Sequence, residues 1–212
     1  EFLHTSSNNI AFITNTTLGV NAVAKSLNLK QNDVVLTTNH EYGACDRAWE
    51  FISKNVGFKY EKIQLPEYIE SKEQIVEIFK NSINENTKAI FISHITSPTA
   101  LIMPIKEICE LAKKLNIFSV IDGAHVPGQI DLNLDDLGAD FYTGNCHKWM
   151  LSPKGSAFIY ANPKLQDMLI PPIISWGNIS GNQCVSNFVA EFEMQGTRDL
   201  SLIHISEPTR PY

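Results

Sequence analysis

The sequence predicts an α/β fold of three layers, in which helices cover both faces of a mainly parallel, seven-stranded sheet. Three observations carry that expectation. Apolar runs of strand length recur about seven times, and most are followed by stretches with apolar residues at helical spacing. The 212 residues, 43% hydrophobic and 19% charged, are enough for one well-filled core.

Ile10 to Ile13 is a short apolar run that ends in the polar cluster Thr14 to Thr17. Leu18, Val20, Val23, Ala24 and Leu27 then recur as in a helix. Val34 to Leu36 reads as the second strand, followed by a helix whose inward face is expected to carry Ala44, Ala48, Phe51 and Ile52. Phe58 to Ile63 alternates with the period of a strand. Ser71 with Gln74 forms a capping box before a helix bearing Ile75, Ile78, Phe79 and Ile83. Lys88 to Ser93 is a further strand, and Pro104 opens a helix with Ile105, Ile108, Leu111, Ala112 and Leu115 inward. Phe118 to Ile121 is a buried strand that stops at Asp122. Ala139 to Thr143 and Ser156 to Tyr160 are strand-like, joined by a loop from Gly144 to Lys154. Beyond Pro163 the pattern loosens, through a Gly/Asn/Ser-rich stretch from Gly177 to Asn187.

Charge removes several function classes. Seventeen Lys and Arg stand against 23 Asp and Glu, a net charge of -6, and no basic run is dense enough to follow a nucleic-acid backbone or an anionic membrane. The longest apolar stretches are strand-sized, so no bilayer span is expected. Four scattered cysteines, Cys45, Cys109, Cys146 and Cys184, form no CxxC pair and read as reduced buried thiols of a cytoplasmic protein. The first residues carry neither a secretory leader nor an initiator Met, so the chain is expected to begin inside a longer one.

Ligands of an open parallel sheet sit outside the carboxyl ends of its strands. Polar clusters fall there five times: Thr14 to Thr17, Asn39 to Tyr42, His94 to Thr99, Asp122 to His125, and Thr143 to Lys148. One shared site is more economical than five coincidences. GxGxxG after the first strand, GxxxxGK[ST], HExxH and GxSxG are all absent, which disfavours dinucleotide, P-loop, zinc-hydrolase and serine-hydrolase readings. What remains is an aspartate at a buried strand end, a lysine on a neighbouring loop and a helix start ready for phosphate. Pyridoxal phosphate needs those three: a partner for its pyridinium nitrogen, an amine for its aldehyde and a cradle for its anion.

The segments Thr14-Asn15-Thr16-Thr17-Leu18-Gly19-Val20-Asn21, His40-Glu41-Tyr42-Gly43-Ala44, Ser93-His94-Ile95-Thr96-Ser97-Pro98, Asp122-Gly123-Ala124-His125 and Asn145-Cys146-His147-Lys148-Trp149 resemble, in order and spacing, the class V aminotransferase-like group of fold-type I pyridoxal-phosphate enzymes. The resemblance is greatest to its isopenicillin N epimerase-like branch, whose relatives include cysteine desulfurases and C–S lyases, and it runs from Ile10 to Asp199. It implies the large, cofactor-binding domain of that fold. It also implies that Lys148 forms the internal aldimine and that Asp122 pairs with the pyridinium nitrogen. Thr16 and Thr17 would hold the phosphate through N–H and hydroxyl groups, with Asn145 and His147 as further ligands. Tyr42 would stack on the ring, and His125 and Ser97 would touch its hydroxyl side. His94 is expected to be a buried, hydrogen-bonded residue, and Cys146 a packing residue.

The same resemblance implies action on a small amino acid through an external aldimine and a Cα carbanion, with an epimerase-like or class V aminotransferase-like outcome. Cysteine desulfurase or C–S lyase chemistry is the alternative. A non-catalytic binding domain would predict loss of Lys148 or Asp122, and both are present. Thr197 matches a family residue that reaches the cofactor phosphate of a neighbouring subunit, so a homodimer is implied. The family's carboxylate-gripping Arg sits in a C-terminal small domain that is expected to be absent. Residues 1–199 are therefore expected to be one domain, incomplete at both ends. Leu200 to Arg210 reads LSLIHISEPTR, and its back-translation resembles a transposase-based sequencing adapter read in frame, so residues 200–212 are expected to be a non-native tail.

Overall fold

The computed structural model describes residues 2–177 and 186–197. Its centre is a seven-stranded sheet of β1 (Ile10–Ile13), β2 (Val34–Thr38), β3 (Lys59–Ile63), β4 (Thr87–Ser93), β5 (Phe118–Asp122), β6 (Phe141–Asn145) and β7 (Ala157–Ala161). The strand order is β1-β7-β6-β5-β4-β2-β3. Strands β2 to β6 pair in parallel, while β7 runs antiparallel to both β6 and β1. The reversal has a simple cause: the connection from Asn145 to Ala157 holds no helix, and a parallel return needs a crossover. Because β7 is reversed with respect to both neighbours, β1 points the same way as β6. The ends of β1, β2, β4, β5 and β6 therefore share one rim, as the sequence predicts.

The helices are α1 (Thr16–Ser26), α2 (Gly43–Val56), α3 (Lys72–Ser82), α4 (Ile105–Lys114), α5 (Leu134–Leu137) and α6 (Asn187–Glu193). They split into two layers. Val20 and Val23 of α1, Trp49 of α2 and Phe188 and Phe192 of α6 pack with Val35, Phe91 and Ile159 on one face of the sheet. Ile75 and Phe79 of α3, Ile108 and Ala112 of α4 and Leu134 of α5 pack with Ile90, Ile121 and Tyr142 on the other. Burying each such side chain is worth roughly 1.5–3 kcal/mol.

Three expectations need correction. The inward stripe of α2 is Cys45, Trp49 and Ile52, while Phe51 is 65% exposed. The stripe is turned because Trp49 fills the space between Phe58, Tyr60 and Phe91, which no alanine could. In α4, Leu115 lies beyond the last helical residue and is 49% exposed; Cys109 takes an inward place instead. The region after Pro163 contains α6, whose Ser186 cap accepts from Val189 N–H and whose Glu193 carboxylate accepts from Phe12 N–H on the outer edge strand β1. The capping residue of α3 behaves as expected: Ser71 accepts from Gln74 N–H at 3.3 Å. Cys184, Arg198, Asp199, the centre of the Gly/Asn/Ser-rich stretch and the 200–212 tail lie outside the described residues. Among the described residues no helix is long and apolar enough to cross a membrane.

Candidate active site

The rim is tied together by a residue to which the sequence reading gave no role. Glu41, 7% exposed after β2, accepts from Ser93 N–H at 2.7 Å and Ser93 Oγ at 2.6 Å through one oxygen, and from Thr38 Oγ1 at 2.6 Å through the other. It bolts the ends of β2 and β4 together. Burial pushes its carboxyl up to about 7, against the hydroxyl bonds from Ser93 and Thr38, and the Asp122 charge pushes the same way as burial. The signal that could have found it is an acid flanked by hydroxyls at two strand ends, Thr38 and Ser93.

Asp122 ends β5 with 3% exposure. One carboxylate oxygen accepts from Ala124 N–H at 2.9 Å and the other from the Cys45 thiol at 3.5 Å. Among the described residues no salt bridge reaches it. Desolvation raises its pKa, opposed by the Ala124 and Cys45 hydrogen bonds and by the Lys148 charge. A buried carboxylate held by neutral donors is electrostatically short of a cation.

Lys148 stands across from it on the β6–β7 loop, half-buried, its Nζ 3.0 Å from His125 Nε2 and 6.0 Å from the centre of the Tyr42 ring. Burial lowers its pKa, and the charge of Asp122 acts in the opposite sense. His125 is lowered too, by burial and then by Lys148. Tyr42 presents an open aromatic face, 47% exposed.

The start of α1 adds an anion-ready corner. Asn15 caps it by accepting from Leu18 N–H at 2.8 Å, and Asn145 Oδ1 takes the N–H of Thr16 at 2.9 Å. Asn145 is thus a clip between β6 and α1, which gives this position a structural duty beside the ligand role the resemblance implies. Thr17 N–H has no partner among the described residues, and the Thr16 hydroxyl is buried with none. The helix lies close to the sheet because Gly19 has no side chain: a Cβ there would stand 2.6 Å from Thr143 Cγ2. His147 donates from Nδ1 to the Ser156 carbonyl at 2.7 Å, which orients its ring and leaves Nε2 unbonded to any described residue.

The remaining expected site residues are placed less closely. Ser97 is exposed in the loop after β4, beside Thr96, whose hydroxyl bonds Thr99 at 2.7 Å. Thr197 is exposed near the end of the described chain. His94 is buried against Tyr142, its Nδ1 3.0 Å from the phenol oxygen, and burial lowers it to about 4, so it is the neutral packing histidine that was expected. Cys146 packs against the core, its thiol pushed up by burial to about 11. Cys45, Cys109 and Cys146 are all free thiols. No group of three His, Cys, Asp or Glu among the described residues could hold a metal.

Comparison with known proteins gives the family and the fold. The family described as aminotransferase class-V matches residues 1–198. Isopenicillin N epimerase of Streptomyces clavuligerus is 36% identical over 79% of this chain and 42% of its own length. Hercynylcysteine sulfoxide lyase of Schizosaccharomyces pombe is 29% identical over 81% of this chain and 44% of its own. The apo structure of cysteine desulfurase from Thermococcus onnurineus superposes with a TM-score of 0.82 at 23% identity, covering 97% of this chain and 52% of that one. The chain thus spans about half the length of the relatives it matches.

Proposed function

This chain belongs to the class-V aminotransferase family, and from that premise we propose that it forms the cofactor-binding part of a pyridoxal-phosphate-dependent enzyme acting on an amino acid. One observation carries the reading: a buried carboxylate without a cation, Asp122, shares a rim with a half-buried amine, Lys148, and an orphaned hydroxyl, Thr16. The donor set fits pyridoxal phosphate group by group. Thr17 N–H, the Thr16 hydroxyl and the start of α1 suit its phosphate, and His147, on the loop after β6, is proposed as a further ligand. Asp122 suits its ring nitrogen, the face of Tyr42 its ring, and Lys148 its aldehyde.

The cofactor, when bound, supplies an electron sink that stabilises negative charge on the carbon bearing the substrate amine. The chain's own residues do the rest. Asp122 keeps the ring nitrogen protonated, because a proton shared with it relieves the cost of an uncompensated buried charge. Lys148 Nζ, as a free amine, carries the proton to and from the α-carbon of the substrate. Glu41 holds the ends of β2 and β4 in register, so Tyr42 and His94 keep their places.

An epimerase-like or aminotransferase-like outcome is favoured by the identity with isopenicillin N epimerase and by Ser97, where the resemblance to desulfurases would expect Asn. Desulfurase or C–S lyase chemistry is the second reading, supported by the likeness to a sulfoxide lyase. A homodimer with Thr197 reaching a neighbouring site and a cytoplasmic location, consistent with the free buried thiols, belong to the same proposal. The test is an absorbance titration of the full-length protein with pyridoxal phosphate. A band near the visible edge should form, borohydride should fix it covalently, and Lys148→Ala should abolish both; a band unchanged in that variant refutes the lysine assignment.

A further inference from the structure

We propose that Trp149 is a positioning residue whose indole N–H fixes the tautomer of His125 and thereby holds Lys148 as a free amine. Three side chains in a row share their protons in one consistent way. Trp149 Nε1 lies 3.2 Å from His125 Nδ1, and His125 Nε2 lies 3.0 Å from Lys148 Nζ. An indole N–H can only donate, so Nδ1 is the acceptor and carries no proton. A neutral imidazole then bears its proton on Nε2, which must donate. Lys148 Nζ therefore accepts, and only the uncharged amine has a lone pair with which to do so. An ammonium at Lys148 would meet an N–H, and an imidazolium at His125 would turn a second donor toward the indole. Neither alternative satisfies both contacts.

The groups around this chain are few. Asp122 faces Lys148 and favours its charged form, the Tyr42 ring lies 6.0 Å from Nζ, and burial of the amine works against the charge. Among the described residues His125 meets one charged neighbour, Lys148, and is held toward its neutral form by burial. The backbone of Trp149 is held in turn. Gly128 adopts φ +84°, and a Cβ there would stand 2.7 Å from the Trp149 carbonyl, so the turn after His125 can press directly on the loop that carries the lysine. The Lys148 backbone carbonyl accepts from Leu151 N–H at 3.2 Å, which closes the loop on itself. Trp149 is 52% exposed, so a core role does not account for its orientation.

The use of this amine toward pyridoxal phosphate rests on the function proposed above, but its protonation state is a property of the unliganded protein. Two measurements on the full-length protein without cofactor test it. Long-range proton–nitrogen NMR of histidine-labelled protein should show His125 protonated at Nε2; protonation at Nδ1 would overturn the proposal. Competitive acetic-anhydride labelling across pH, read on the peptide holding Lys148, should give a midpoint about one pH unit higher in Trp149→Phe, or about tenfold slower labelling near pH 7. An unchanged midpoint in a folded Trp149→Phe would likewise overturn it. Should that variant fail to fold, the wild-type tautomer decides alone. Borohydride fixation at a lysine other than Lys148 would sink the functional reading while leaving the tautomer result standing, so the two failures are distinguishable.

Discussion

The interior of the sheet and its carboxyl rim, a few residues apart along every strand, are built on opposite rules. In the interior, Phe91, Ile121, Phe141 and Ile159 are buried among apolar neighbours on both faces. At the rim, one residue further along β5, a carboxylate is buried without a cation, and at the start of α1 a threonine hydroxyl is buried without a partner. Buried polar groups are normally satisfied, so unmet demand concentrated at one end of the sheet marks where the protein expects something it does not itself supply. Among the described residues the core has one orphan of its own, the indole N–H of Trp49.

The contrast predicts that rim substitutions cost chemistry and interior ones cost stability. Lys148→Ala should reduce turnover of the full-length protein by about 10³-fold or more, measured as initial rates, with the melting temperature of the unliganded protein nearly unchanged. Trp49→Ala should do the reverse, lowering unfolding free energy by about 3–5 kcal/mol in a denaturant titration, because it empties the space between Phe58, Tyr60 and Phe91.

Glu41 sharpens the comparison because it is both buried and at the rim. Its carboxyl titrates near 7 in the folded chain against 4.5 when exposed, so the folded state holds its proton more tightly. The stability this contributes is complete below about pH 4.5 and is lost as the pH rises toward 7, by up to about 3 kcal/mol. Denaturant midpoints at pH 5 and pH 8 should show that loss, and Glu41→Gln should flatten it. The smallest effect belongs to Asn15, whose side chain caps α1. Asn15→Ala should cost about 1 kcal/mol of stability in the same assay.

Much of this was legible in the sequence, for reasons that differ between fold and site. Most of the seven strands could be read because buried strands are continuous apolar runs, β3 because it alternates, and the helices between them because their apolar residues recur at helical spacing. The face of α2 was misread because Phe51 looks more apolar than Cys45, and only the packed neighbours of Trp49 decide the stripe. Helix α6 escaped because its apolar residues Phe188, Val189 and Phe192 follow a run of Gly, Asn and Ser, and it is held against β1, far away in sequence. At the rim, Asp122 and Lys148 could be found because strand ends are where polar clusters gather. The supporting contacts could not: Glu41 meets Ser93 across 52 positions, Asn145 meets Thr16 across 129, and Trp149 meets His125 across 24. Pairings of that kind are fixed by topology and leave no local pattern.

The central claim is that the rim's amine, and no other, holds the aldehyde of pyridoxal phosphate. Reduction of the loaded full-length protein with borohydride, followed by digestion and mass mapping, tests it most directly. The account predicts one modified peptide, with the added mass on Lys148. The same mass on Lys154 or scattered over surface lysines such as Lys72 and Lys80, with the Lys148 peptide unmodified, would contradict it.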